Sequence, residues 1–106
     1  MNEGEFTERA EAALTRIEAA LEECGLDADV ERKEGGIIEL EFADGSRMLI
    51  NRHAAAREIW VAARSGGFHF RWDGSVWRDS RDGAELFAAL SRLVSAQSGQ
   101  PVILRP

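Results

Sequence analysis

The stretch Arg57–Trp72, REIWVAARSGGFHFRW, admits few folds. Ile59, Val61 and Ala63 alternate with Trp60 and Ala62. Beyond a short loop, Arg64-Ser65-Gly66-Gly67, Phe68, Phe70 and Trp72 alternate with His69 and Arg71. Side chains on a strand point alternately to its two faces, so this pattern describes a hairpin with one plainly apolar face. That face calls for helices to cover it. The other face carries Trp60, His69 and Arg71, a mixture unsuited to a dry core. A large aromatic there is either covered by a loop or tail or free for recognition, where Trp is enriched. Alternation leaves both open.

The flanking sequence extends the pair into a meander. Glu34-Gly35-Gly36 turns into Ile37–Phe42, with Ile38, Leu40 and Phe42 inward and Glu39 and Glu41 outward. Asp44-Gly45 is a strong hairpin signal, followed by Met48–Asn51 with Met48 and Ile50 inward. Arg52–Ala56 reads as a loop, Asp73-Gly74 as another turn, and Val76-Trp77-Arg78 as a short last strand. A first strand leads off from Leu26–Glu31. The open face would gather Glu39, Glu41, Leu49, Asn51, Trp60, Ala62, His69 and Arg71.

Helices bracket the strands. Asn2 caps the first, with Glu5 in the capping-box position; Phe6, Ala10, Ala13, Leu14, Ile17, Leu21 and Cys24 make one apolar stripe, and Gly25 stops it. Asp82 is the expected cap of the second, with Glu85 three residues on; Leu86, Phe87, Leu90, Leu93 and Val94 form its stripe, which ends where the polar Gln97 falls. The apolar tail Val102-Ile103-Leu104 is expected to cover helix stripes. The expected fold is α+β: a two-layer sandwich in one domain over 1–106, two helices on one face of an antiparallel sheet of about six strands.

Charge narrows the partners. The chain has 19 acidic and 13 basic residues, a net charge of −6. Nucleic acid and anionic membrane both need a basic footprint, so neither is expected; cations or a basic protein surface are. No stretch is apolar enough to span a bilayer, and the acidic N-terminus does not read as a signal peptide. A bacterial cytoplasmic protein is the expectation, with a processed organellar one left open. One cysteine, Cys24, rules out an internal disulfide and a multi-cysteine zinc site.

The acids are not scattered. At about 100° per residue, Glu8, Glu11, Glu18 and Glu22 share a sector of roughly 80° on the first helix, while Arg9 and Arg16 fall on the opposite flank of its stripe. Few basic residues stand at i+4 to compensate the ridge. Glu22 and Glu23 sit at the helix C-terminus, where its dipole disfavours them, and Asp27, Asp29 and Glu31 carry the acids past the helix end. Such a cluster is either a solvated face or a site for a hard cation, which takes oxygen ligands. No nucleophile constellation, phosphate loop or dinucleotide fingerprint is present, so no enzyme is expected. His53 and His69 have no third ligand beside them and read as surface or partner-contact residues.

Several strings carry a family likeness: Leu40-Glu41-Phe42-Ala43-Asp44-Gly45-Ser46, Ile50-Asn51-Arg52, Ile59-Trp60-Val61-Ala62 and Gly66-Gly67-Phe68-His69-Phe70, with the Trp77 strand leading to the second helix. In these strings, and in element order over the whole length, the chain resembles the frataxin family, and its bacterial branch in particular. The resemblance implies weak binding of ferrous or ferric iron at surface carboxylates. By position these are Glu11, Glu18, Glu22, Glu23, Asp27, Asp29 and Glu31. It implies a role in iron–sulfur cluster assembly through a cysteine desulfurase and its scaffold protein, as regulator or iron donor. Asn51, Trp60 and His69 match the partner-contact surface. A monomer is expected, with iron-dependent oligomers left open. Ala19, Gly25, Arg32 and Lys33 depart from the acids that relatives carry there. Two other readings stay open: an acidic interaction domain whose metal binding is incidental, and an iron-oxidising or storage assembly.

Overall fold

The structure is a computed structural model that describes all 106 residues. Helix α1 (Glu3–Glu23) is followed by six strands, β1 (Ala28–Lys33), β2 (Ile37–Phe42), β3 (Arg47–His53), β4 (Glu58–Ala63), β5 (Gly66–Trp72) and β6 (Trp77–Asp79), then by helix α2 (Leu86–Ser98). The strands form one antiparallel sheet in sequence order, with β1 and β6 at its edges. The two-layer sandwich with about six strands is the architecture the alternation and the two stripes call for.

One face of the sheet meets both helices. Ile38, Leu40, Met48, Ile50, Ile59, Val61 and Phe70 are buried against Phe6, Leu14 and Ile17 of α1 and Leu86, Leu90 and Val94 of α2. The inward and outward positions of β2, β3 and β4 are the expected ones. Asn2 caps α1 through its side chain, which accepts the Glu5 N–H at 2.8 Å.

Four local expectations are corrected. Arg52 and His53 are not loop residues: β3 runs on through them, pairing Arg52 with Ile59 and His53 with Glu58. The turn that remains, Ala54–Arg57, places Arg57 at a positive φ of 56°. Asp82 does not cap α2. Its carboxylate holds the Ala84 N–H in a preceding turn, a bridge between Arg78 and Glu85 prolongs the extended chain, and Glu85 itself is the cap, accepting from Phe87 and Ala88. Gln97 does not mark a polar end to the stripe. It is buried, donating to Ser46 Oγ and the Arg47 carbonyl and accepting from the Arg64 N–H, so it fastens α2 to two strand ends. In the tail, Val102 and Leu104 are buried but Ile103 is 68% exposed and covers no stripe.

Candidate functional site

Two surfaces carry the residues singled out in the sequence. The first is the acidic band. Glu11 and Glu18 on α1 are half-buried and not left to repel one another. Arg32, pointing inward from β1, reaches Glu11 at 3.1 Å and Glu18 at 3.5 Å, and Arg52 from β3 approaches Glu11 at 3.8 Å. The expectation of an uncompensated ridge is therefore corrected: helical i+4 spacing says nothing about a strand laid alongside. Arg52 reaches this point by lying across Gly36, where a Cβ would sit 2.3 Å from its Nε.

The remaining acids wrap around the free edge of the sheet. Glu22 and Glu23 are exposed in the last turn of α1, and Asp27 is exposed in the connection to β1. Asp29 and Glu31 alternate with Val30 and Arg32 and so point to the open face, away from the helices. Directly across from them in register stand Glu41 and Glu39. Like charges opposite one another are destabilising unless compensated. Lys33 and Arg47 compensate Glu39, and Arg47 also reaches Glu41. The hydrogen bond and charge of Lys33 hold the Glu39 carboxyl below its ordinary value, against a smaller opposing effect of burial. Glu22, Glu23, Asp27, Asp29 and Glu31 form no ion pair. Asp27, Asp29 and Glu41 line one shallow hollow of about 280 Å3. No three acidic, histidine or cysteine side chains converge closely enough to form a preformed metal cage. Oxygen donors in this open arrangement suit a hard cation that keeps most of its water. Glu41 joins the band from the outer face of β2, across from Asp29, a neighbour that alternation within one strand does not reveal.

The second surface is the middle of the open face. Asn51, Trp60 and His69 are direct neighbours across β3, β4 and β5. Trp60 is half-buried. Its ring is stacked between two imidazoles, His53 at 3.7 Å and His69 at 4.5 Å between centroids, with interplanar angles of 11° and 10°. The indole N–H donates to Glu58 Oε1 at 2.9 Å, fixing the ring's orientation as well as its plane. His53 Nδ1 accepts the Ala56 N–H at 3.2 Å, which fixes the plane of that imidazole. Trp60 is thus half-buried and pre-positioned, beside the exposed His69 and Arg71.

His53 and Glu58 are the members of this surface that sequence reasoning missed. Once β3 is run two residues further, alternation from Leu49 and Asn51 puts His53 on the same face. Glu58 carries a buried charge: its side chain is 8% exposed. Burial pushes its carboxyl up, but hydrogen bonds from Arg71 Nε, at 2.6 Å, and Trp60, with the charges of Arg71 and His69, more than offset this, leaving it below the ordinary value of 4.5. A carboxyl whose folded value is lowered stabilises the fold above its unfolded value and loses that contribution as pH falls through the folded one. Glu58→Gln is accordingly expected to destabilise the chain by about 1–3 kcal/mol at pH 7. The difference from the parent should shrink as pH drops below 4.5. Denaturant unfolding of both proteins from pH 7 to pH 3 checks this; a difference that is constant with pH counts against it.

A helix–meander–helix sandwich with an acid-lined sheet edge and a stacked indole on its open face defines the class to which the chain belongs. A sequence model described as a frataxin-like domain matches residues 1–100, and the chain belongs to that family. Among its relatives, the iron–sulfur cluster assembly protein CyaY of Dechloromonas aromatica is 58% identical over 105 residues, covering 99% of this chain and 100% of that protein. The CyaY protein of Janthinobacterium sp. (strain Marseille) is 52% identical over 109 residues, covering 99% of this chain and 97% of that one. The solved frataxin of Psychromonas ingrahamii superposes with a TM-score of 0.90 at 30% identity over all of both chains. A trimeric yeast frataxin complexed with ferrous iron shares the fold, with a TM-score of 0.59 at 23% identity over 94% of this chain and 88% of that one.

Proposed function

We propose that the chain is an iron-responsive binding protein of iron–sulfur cluster assembly, acting on a cysteine desulfurase and its scaffold. The reading rests on family membership, and the observation that carries it is the group of unpaired carboxylates, Glu22, Glu23, Asp27, Asp29 and Glu31, that wraps the β1 edge. These take iron weakly as cargo or signal, with water filling most coordination positions. Glu11 and Glu18, already engaged by Arg32, take a secondary part. The same acids suit a basic docking surface on the desulfurase, and the stacked Trp60 with Asn51 and His69 supplies the anchor for the complex. The protein works as a monomer in the bacterial cytoplasm and is not itself an enzyme.

Anaerobic titration with ferrous iron, followed by amide NMR, tests the metal site. Signals from residues 22–31 and from Glu41 should broaden first, ahead of those near Glu11. Broadening centred on His53 and His69 with the band silent would overturn it.

One observation favours a second reading. Because no three ligating side chains converge, the acids are also consistent with a docking surface whose metal binding is incidental. The two part on whether iron, at concentrations that leave the fold intact, changes the desulfurase rate in the complex.

A further inference from the structure

Arg9 and Arg16, which lie off the acidic sector of α1, play no part in either surface. They flank a groove of about 440 Å3 between α1, the β5–β6 turn and the start of α2. Their spacing of seven residues puts them on one helix face about two turns apart, roughly 10 Å along the axis. The small side chains Ala12 and Ala13 lie between them and open the hollow. Trp72, Trp77 and Phe87 form the apolar wall, the two indoles meeting edge to face at 5.6 Å. The volume lies within the range of small-molecule sites, about 300–1,000 Å3.

Charge decides what such a groove accepts. Neither arginine forms an ion pair; the Arg9 guanidinium lies 4.7 Å over the Trp72 ring. Glu85 and Pro106 also line the groove; Glu85 keeps its charge, but its two oxygens are turned to the Phe87 and Ala88 N–H groups as the cap of α2. Asp73, in the adjoining turn, is spent on the N–H groups of Ser75 and Val76 and on Arg78. In a chain of net charge −6, this is a concavity with two cations that have no ion-pair partner, one of them stacked on an aromatic wall.

We propose that the groove binds a small planar aromatic carboxylate, the ring lying against Trp72, Trp77 and Phe87 and the carboxylate taken by the guanidinium forks of Arg9 and Arg16. A guanidinium matches a carboxylate bidentately, and aromatic walls favour a flat apolar body. The proposal is independent of iron and of the desulfurase.

The test uses 2-naphthoate as probe, with amide NMR and tryptophan fluorescence as readouts. Saturable binding is expected with a dissociation constant on the order of 0.1 mM, in keeping with a ligand of this size. Shifts should centre on α1 around Arg9–Arg16 and on the indole N–H signals of Trp72 and Trp77, with Trp60 unmoved. Arg9→Gln with Arg16→Gln, both exposed positions, should weaken binding tenfold or more, and Ala12→Phe, which fills the groove without altering charge, should do the same. Naphthalene-2-methanol, the neutral analogue, should bind at least tenfold more weakly than the acid. The proposal is overturned by no saturable binding at millimolar probe, by equal affinity for the neutral analogue, or by binding that survives both variants.

Discussion

Removing residues 101–106 should destabilise the chain by about 4 kcal/mol, a large share of the 5–15 kcal/mol typical of a domain this size. The tail lies between the helices. Val102 and Leu104 are buried, at 5% and 3% exposure. Two serines one turn apart on α2 hold its backbone: Ser95 Oγ accepts the Val102 N–H at 2.9 Å and donates to the Val102 carbonyl at 3.1 Å, while Ser91 Oγ accepts the Leu104 N–H at 2.8 Å. Gln100, just ahead of the cut, donates to the Gly25 carbonyl at 3.1 Å and is retained in the truncated chain. Burial of two aliphatic side chains contributes about 1.5–3 kcal/mol each. The hydrogen bonds add to that, and ordering six residues offsets part of the sum. The expected fall in melting temperature is roughly 15–25 °C. Ile103→Ala is the control. At 68% exposure its loss should change stability by less than about 0.5 kcal/mol. Calorimetry on the three proteins decides; a truncated chain that melts with the parent would mean the tail is an ornament on an already closed core.

The tail also shows where the sequence was legible and where it was not. Its apolar run announces burial, but three consecutive apolar residues in an extended chain cannot all face one way, and only the serine pattern on α2 settles that Ile103 points out. Period-two alternation was enough to orient β2 to β5, because a one-residue slip would have moved every core side chain to solvent. It failed at strand ends, where polar residues break the pattern: Arg52 and His53 looked like loop although β4 pairs with them. Helix starts failed similarly at Asp82, since any Asx residue followed by Glu resembles a capping box until the β-bridge ahead of Glu85 is known. For the acidic band, helical geometry identified which carboxylates share a sector. It could not register Arg32 and Arg52, delivered by strands 14 and more residues beyond Glu18, nor that Asp29 and Glu31 face the other way. Glu58 carried no signal at all: an acid at the head of a strand reads as solvated until Arg71 and Trp60 are seen to satisfy it.

Trp60→Ala and Ile59→Ala should have opposite effects, although the residues are adjacent. Ile59 is fully buried in the core and in register with Phe70. Truncating it leaves a cavity that should cost about 2–5 kcal/mol of stability while sparing partner binding in whatever fraction remains folded. Trp60 leaves no core cavity, yet its removal is not free. Two stacking contacts, each worth about 0.5–1.5 kcal/mol, are lost, and Glu58 loses one of its donors. A stability cost near 2 kcal/mol is therefore expected, above the value of about 1 kcal/mol for an ordinary surface site. On the proposed reading, in which Trp60 anchors the desulfurase–scaffold complex, affinity should fall by about 2 kcal/mol or more, roughly 30-fold. Trp60→Phe sharpens the test. It keeps an aromatic ring between His53 and His69 but cannot donate to Glu58, so it should recover most of the stability and only part of the affinity. Denaturant melts beside binding isotherms for the three variants give the answer. If Ile59→Ala weakens binding in the folded protein while Trp60→Ala binds like the parent, then the open face is not where the partner sits, and the acidic band alone must account for docking.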